Sequence, residues 1–235
     1  MKLKSFVIRT TILSLFLFFF CANSVFAVSK EEARRQLADS SLNYESATQA
    51  INCIKEGDIN TLGLFIDAGM NVNNKYAGMP LIIYAFSEKQ PEIAKLLIEK
   101  GANINTKIMG IPLLLYTIVG KEPEVAKLLI EKGVDPNTSA SGESALYIAI
   151  YKNQPEIAVL LLKKGANPNK GLTYVRGYTP LRIAIRRNQA EVVKMLLEKN
   201  ADITKKPLFL PSNIKLAHKK KYTEIEKLLV DYQNK

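Results

Sequence analysis

Apolar positions recur along the chain in blocks with helical spacing. In Pro91-Glu92-Ile93-Ala94-Lys95-Leu96-Leu97-Ile98-Glu99-Lys100-Gly101, residues Ile93, Leu96 and Leu97 fall on one face, and Ala94 leaves a point of close approach. The block returns as Pro123–Gly133 and Pro155–Gly165, then more loosely as Ala190–Asn200. Glu92, Glu124 and Glu156 stand 32 residues apart, and Glu191 follows after 35. A fixed period of this size predicts stacked repeats, each a small unit unable to bury its apolar face alone.

The chain then reads as loop, helix, tight turn, helix. Second blocks lie between the first: Leu81–Ala85, Leu113–Thr117, Ala145–Ala149, Leu181–Ala184 and Ile214–Ala217, opened by Gly78, Gly110, Gly142 and Gly177 in the first four cases. Proline at 91, 123 and 155 suits a first helical position, where no needed hydrogen bond is lost. Gly69, Gly101, Gly133 and Gly165, with Asn200 in series, suit the left-handed turn that ends a helix. Ser29-Lys30-Glu31-Glu32 is a capping box, and the helix it opens is expected to cover the first repeat's open end. The expected organisation is a signal segment at 1–27, a cap helix at 28–44, repeats at 45–75, 76–107, 108–139, 140–174 and 175–207, and a capping repeat at 208–235. The fold class is all-α: a solenoid of helix-turn-helix units with short β-hairpin-like loops.

Charge changes this picture. The net charge is +11, but it is uneven. Residues 28–181 carry 17 basic and 16 acidic side chains, whereas residues 182–235 carry 13 and 6. Residues 1–27 hold Lys2, Lys4 and Arg9, then an apolar run from Thr10 to Phe20, then Val25-Phe26-Ala27. Basic head, short apolar run and small residues before a cleavage point make an export signal, so the chain is expected to be periplasmic or secreted. Beyond that segment Cys53 is the sole cysteine, which leaves no intramolecular disulfide there; it is expected to be a small buried hydrophobe.

Gly177-Tyr178-Thr179-Pro180-Leu181-Arg182-Ile183-Ala184, followed by Glu191-Val192-Val193-Lys194-Met195-Leu196-Leu197, resembles the ankyrin repeat, and the resemblance extends over about residues 45–230. It implies a stack that binds proteins through its finger-like loops and the exposed side of its inner helices, which together form a concave face. The histidine of the family's pattern is absent: Ile83, Leu115, Tyr147, Arg182 and Lys215 stand there. The usual hydrogen-bond lattice of neighbouring histidines and threonines is therefore not expected, and apolar packing must hold repeats two and three.

No catalytic constellation emerges. His218 has no second histidine or cysteine in the C-terminal region to form a ligand set, the recurring glutamates are first-turn helix residues, and no enzyme activity, cofactor or metal is expected. Carried over from the resemblance, the exposed inner-helix positions are Tyr84, Ser87 and Glu88; Tyr116, Val119 and Gly120; Ile148, Tyr151 and Lys152; Ile183, Arg186 and Arg187; and Leu216, Lys219 and Lys220. Arg182 joins them, as do Tyr174 and Arg176 from a fifth loop three residues longer than its predecessors. The early half is aromatic and nearly neutral, the late half basic. A monomer docking a protein with an acidic surface is the first expectation. A polyanion or anionic membrane surface bound through the basic C-terminal repeats is the alternative. Nucleic acid is not expected, and membrane contact only through the signal segment or weak electrostatics.

Overall fold

The computed structural model describes residues 28–171 and 178–234. The expected signal segment therefore lies outside the described residues. Thirteen helices and six short strands are present among those described. The cap helix α1 (Lys30–Asp39) is followed by helix pairs α2 (Ala47–Glu56) and α3 (Ile59–Ala68), α4 (Leu81–Ser87) and α5 (Pro91–Glu99), and α6 (Leu113–Gly120) and α7 (Pro123–Glu131). Then come α8 (Ala145–Tyr151) and α9 (Pro155–Lys163), α10 (Pro180–Arg186) and α11 (Ala190–Glu198), and α12 (Asn213–Lys220) and α13 (Thr223–Gln233). The second helices of the pairs form one unbroken column, α3, α5, α7, α9, α11 and α13, each packed on the next.

The local chemistry follows the sequence. Ser29 Oγ accepts from the Glu32 amide at 3.2 Å, opening α1. Pro91, Pro123 and Pro155 each stand first in their helices. Gly101, Gly133 and Gly165 have φ near +90° just past the helix ends, where a side chain would be strained. Helix α1 packs on α3. There Arg34 Nε donates to the Ala68 carbonyl at 3.0 Å, closing the C-terminal end of α3, and its guanidinium lies over the Tyr44 ring.

Three two-residue hairpins form fingers: β1 (Lys75–Tyr76) with β2 (Met79–Pro80), β3 (Lys107–Ile108) with β4 (Ile111–Pro112), and β5 (Ser139–Ala140) with β6 (Glu143–Ser144). Their tips are Ala77-Gly78, Met109-Gly110 and Ser141-Gly142, all six residues with positive φ. Two consecutive residues with positive φ give the turn whose twist matches paired strands.

One apolar core runs the length of the stack. Ile93, Ala94, Leu97 and Ile98 are buried in α5, and the same positions repeat in α7. This corrects the expected face. Leu96 and Leu128 are only partly buried because they flank the buried i, i+1, i+4, i+5 stripe, whereas Leu129 is fully buried.

Polar ties join the repeats where the histidine lattice is missing. Asn137 Oδ1 accepts from the Asn167 amide at 2.8 Å, and its Nδ2 donates to the Gly165 carbonyl at 3.3 Å. Asn73 makes the same two bonds to Asn103 and Gly101, and Asn169 to Asp202 and Asn200. Each asparagine thus satisfies groups left over at the next repeat's helix end.

Candidate functional site

Helices α8 and α10 bring a half-exposed aromatic ring and exposed cationic groups together. Tyr147 and Tyr151, four residues apart on α8, stack with ring centres 6.2 Å apart and planes within 6°. From the end of α10 the Arg187 guanidinium sits 4.9 Å above the Tyr151 ring. Tyr147 is buried, Tyr151 is 49% exposed, and Arg186 and Arg187 are exposed. Burial chiefly raises the Tyr147 phenol pKa, with smaller contributions from Glu143, Tyr151 and Tyr178; Arg186 opposes them. The outcome is an aromatic step with an anchored base, a half-open top and a cation held over its face.

The other expected positions divide. Tyr84 is half-buried; its hydroxyl donates to the Tyr76 carbonyl at 2.9 Å and its ring meets Tyr76 edge-on, so it braces its own finger. Tyr116 is half-buried and edge-on to Phe86 of the preceding repeat, 5.7 Å between centres. Lys152 is half-buried, and Lys219 and Lys220 are exposed. Tyr174 and Arg176 lie outside the described residues. Ile148, Ile183 and Leu216, expected at the surface, are buried. Neighbouring inner helices cover the middle of these short elements, and the expected positions that are exposed lie at their C-terminal ends: Ser87, Glu88, Val119, Gly120, Tyr151, Arg186, Arg187, Lys219 and Lys220.

Arg182 is a correction. It is 2% exposed and points into the stack. Its Nη1 donates to the Pro211 carbonyl at 3.0 Å and to Asn213 Oδ1 at 3.1 Å, so the guanidinium joins the last two repeats and meets no partner. Burial, then the Arg186 charge, lowers its pKa, with Tyr178 opposing. Tyr147, by contrast, was missed. Its i, i+4 spacing from Tyr151 was visible in the sequence, but its place in the histidine position of the repeat directed it to the core.

Groups of a catalytic kind are otherwise engaged. Cys53 is buried, and burial first, then Asp58 and Glu56, push its thiol up to about 11. His218 Nδ1 lies 2.9 Å from Glu226 Oε1 across α12 and α13. Among the described residues no cluster of side chains suits a metal, and no helix is long and apolar enough to cross a membrane.

Family models for ankyrin repeats match residues 113–207, as three copies, and residues 79–108, as one. Together they cover more than half of the chain, which therefore belongs to the ankyrin-repeat family, a family of generally non-catalytic protein-interaction scaffolds. An ankyrin repeat domain from Acinetobacter baumannii AYE shares the fold with a TM-score of 0.64 at 22% identity, over 80% of this chain and 99% of that one. The human ASB11 ankyrin repeat domain gives 0.57 at 18% identity, over 89% and 98%. A chain of the Bdellovibrio bacteriovorus complex of the predatory endopeptidase Bd0816 with the immunity protein Bd3460 gives 0.55 at 20% identity, over 79% and 98%. No curated protein matches by sequence.

Proposed function

We propose that this chain is an exported ankyrin-repeat scaffold that holds a protein partner on the exposed side of its inner helices and on its fingers. The observation that carries the reading is the Tyr151 ring, half-exposed between buried Tyr147 and the Arg187 guanidinium. Tyrosine and arginine dominate binding hot spots because they offer large area and a polar handle at low cost in rotamer freedom. Here the rotamers are already fixed by stacking. Arg186 beside this step, with Lys219 and Lys220 on the next repeat, suits an acidic partner surface, which steers encounter more than it adds affinity. The pattern of residues 1–27 supports export. The occurrence of this fold in a two-protein complex of B. bacteriovorus supports a protein as partner.

The alternative, a polyanion held by the C-terminal repeats, has Lys219, Lys220 and Lys221 in its favour. Against it, Glu224 and Glu226 follow in the first turn of α13, and Glu226 faces His218. Affinity capture from a cell-envelope extract, at low and high salt, tests the main reading. The parent chain is expected to retain a protein that Arg186→Glu with Arg187→Glu releases at low salt. Equal retention by both overturns the charged part of the surface.

A further inference from the structure

The inner helices are not where most of the exposed apolar side chains lie; the finger edge is. Met109 is 97% exposed, Leu208 80% and Phe209 100%, with Tyr76, Met79 and Ile111 exposed at the same edge. Each apolar tip directly follows lysine: Lys75 before Tyr76, Lys107 before Ile108-Met109, and Lys205-Lys206 before Pro207-Leu208-Phe209-Leu210. Residues 71–80 and 103–112 contain no acid. Among the described residues, Lys75, Lys107 and Lys206 enter no ion pair. A cleft of about 500 Å³ opens between the first two fingers, lined by Lys75, Lys107, Thr106, Met79 and Ile83 among others, with no acid in its wall.

The last tip is built to stay in place. Pro207 is buried, and Leu210 N donates to its carbonyl at 3.3 Å. Arg182 holds the Pro211 carbonyl from inside the stack, and Asn213 Nδ2 holds that of Ile203 at 2.9 Å. Between these anchors Phe209 is displayed at φ +65°, a region few bulky residues occupy. A buried guanidinium thus fixes a loop whose centre is a fully exposed phenylalanine.

We propose that the finger edge docks on an anionic lipid bilayer. The tips of Met109, Leu208 and Phe209 enter the boundary between headgroups and acyl chains, about 5–10 Å deep in comparable peripheral contacts. The lysines behind them stay at the level of the phosphates. The cleft between Lys75 and Lys107 receives a headgroup phosphate. The third finger, with Ser141 at its tip and Glu143 in its second strand, is polar, so contact is made by two separate clusters. A fluid surface accepts such separated points without a matched set of pockets, whereas a single protein groove would have to match both. This inference does not rest on the protein-binding reading: the residues that carry that reading, Tyr151, Arg186 and Arg187, lie at the ends of the inner helices, and only the fingers are common to both.

The chain contains no tryptophan, so a single introduced indole reports its own surroundings. Phe209→Trp, Met109→Trp and, as a control on α13, Val230→Trp are made in the full chain. They are mixed with phosphatidylcholine vesicles with and without phosphatidylglycerol. With phosphatidylglycerol present, the indoles at 209 and 109 are expected to shift to the blue and to be quenched by bromine-labelled acyl chains, while that at 230 is not. Lys107→Glu with Lys206→Glu lowers the vesicle affinity read from these signals by about tenfold or more. Indoles at 209 and 109 that stay unshifted and unquenched overturn the proposal, including when the chain binds vesicles through residues 1–27 or its basic C-terminal repeats. A shift produced by a membrane-free extract but not by vesicles assigns the edge to a protein groove, and also overturns it.

Discussion

Arg182 Nη1 donates to Asn213 Oδ1 at 3.1 Å, across the junction of the last two repeats and out of reach of solvent. Arg182 stands where the family's pattern places a histidine, and the bond ties α10 to α12. Arg182→Ala leaves the Pro211 carbonyl and the Asn213 side chain without this donor. A hydrogen bond to a charged group contributes about 1.5–3 kcal/mol, and that is the expected loss. Repeats touch only their neighbours, so the loss should fall on the last repeat. Urea unfolding should then show an early transition or a reduced slope against denaturant. One cooperative transition at an unchanged midpoint would contradict the role given to Arg182.

Glu122 occupies a position that glutamine holds in the two following repeats. There Gln154 Nε2 donates to the Ile118 carbonyl at 2.7 Å, and Gln189 Nε2 to that of Ile150 at 3.3 Å. The equivalent carbonyl for Glu122 is that of Phe86. Glu122 Oε2 is buried without a partner, and burial raises the carboxyl's pKa. Glu92 and Lys95 of α5 line the same cleft, with Lys121 and Glu124 beside it. The folded state therefore binds the proton more tightly than the unfolded one. Stability from this group is full below the unfolded pKa of about 4.3. It is lost as pH rises, until the folded carboxyl ionises as well, and is level above that. Glu122→Gln supplies a donor and removes the dependence. At neutral pH it is expected to stabilise by about 0.5–1.5 kcal/mol, with the advantage shrinking towards pH 4. A destabilised variant, or an advantage that grows on acidification, would contradict this.

Adjacent leucines of α7 should differ. Leu129 is fully buried, and Leu129→Ala is expected to cost about 2–5 kcal/mol. Leu128 is only partly buried, and Leu128→Ala should cost about 1–2 kcal/mol, since less apolar area leaves water there. Paired thermal and urea melts check the order, and a larger loss at 128 would contradict the stripe.

The fold was legible because it is written several times. Prolines at 91, 123 and 155 and the glycine series state where helices begin and end, and each copy corroborates the others. The junctions were less legible. A lone Asn137 or Asn169 in a loop reads as a turn residue, and only stacking shows its side chain reaching across to the next repeat. Arg182 looked like surface charge because arginine rarely lies inside; its burial depends on Asn213, 31 residues away. For the candidate face, the last-turn positions Tyr151, Arg186 and Arg187 were found by register. Ile148 and Ile183 were misplaced because a seven-residue helix flanked by neighbours shows little beyond its end.

On the proposed function, a partner is held by what varies between repeats rather than by the repeated outer column. Site-specific photocrosslinking tests it most directly. A photoreactive residue is placed at Tyr151 on the inner face, and separately at Lys163 at the end of the outer helix α9, in the full chain exposed to an envelope extract. A discrete protein adduct from position 151, weakened by Arg187→Glu and absent from position 163, is the predicted result. The same adduct from both positions, or from 163 alone, would contradict a partner held on the inner face.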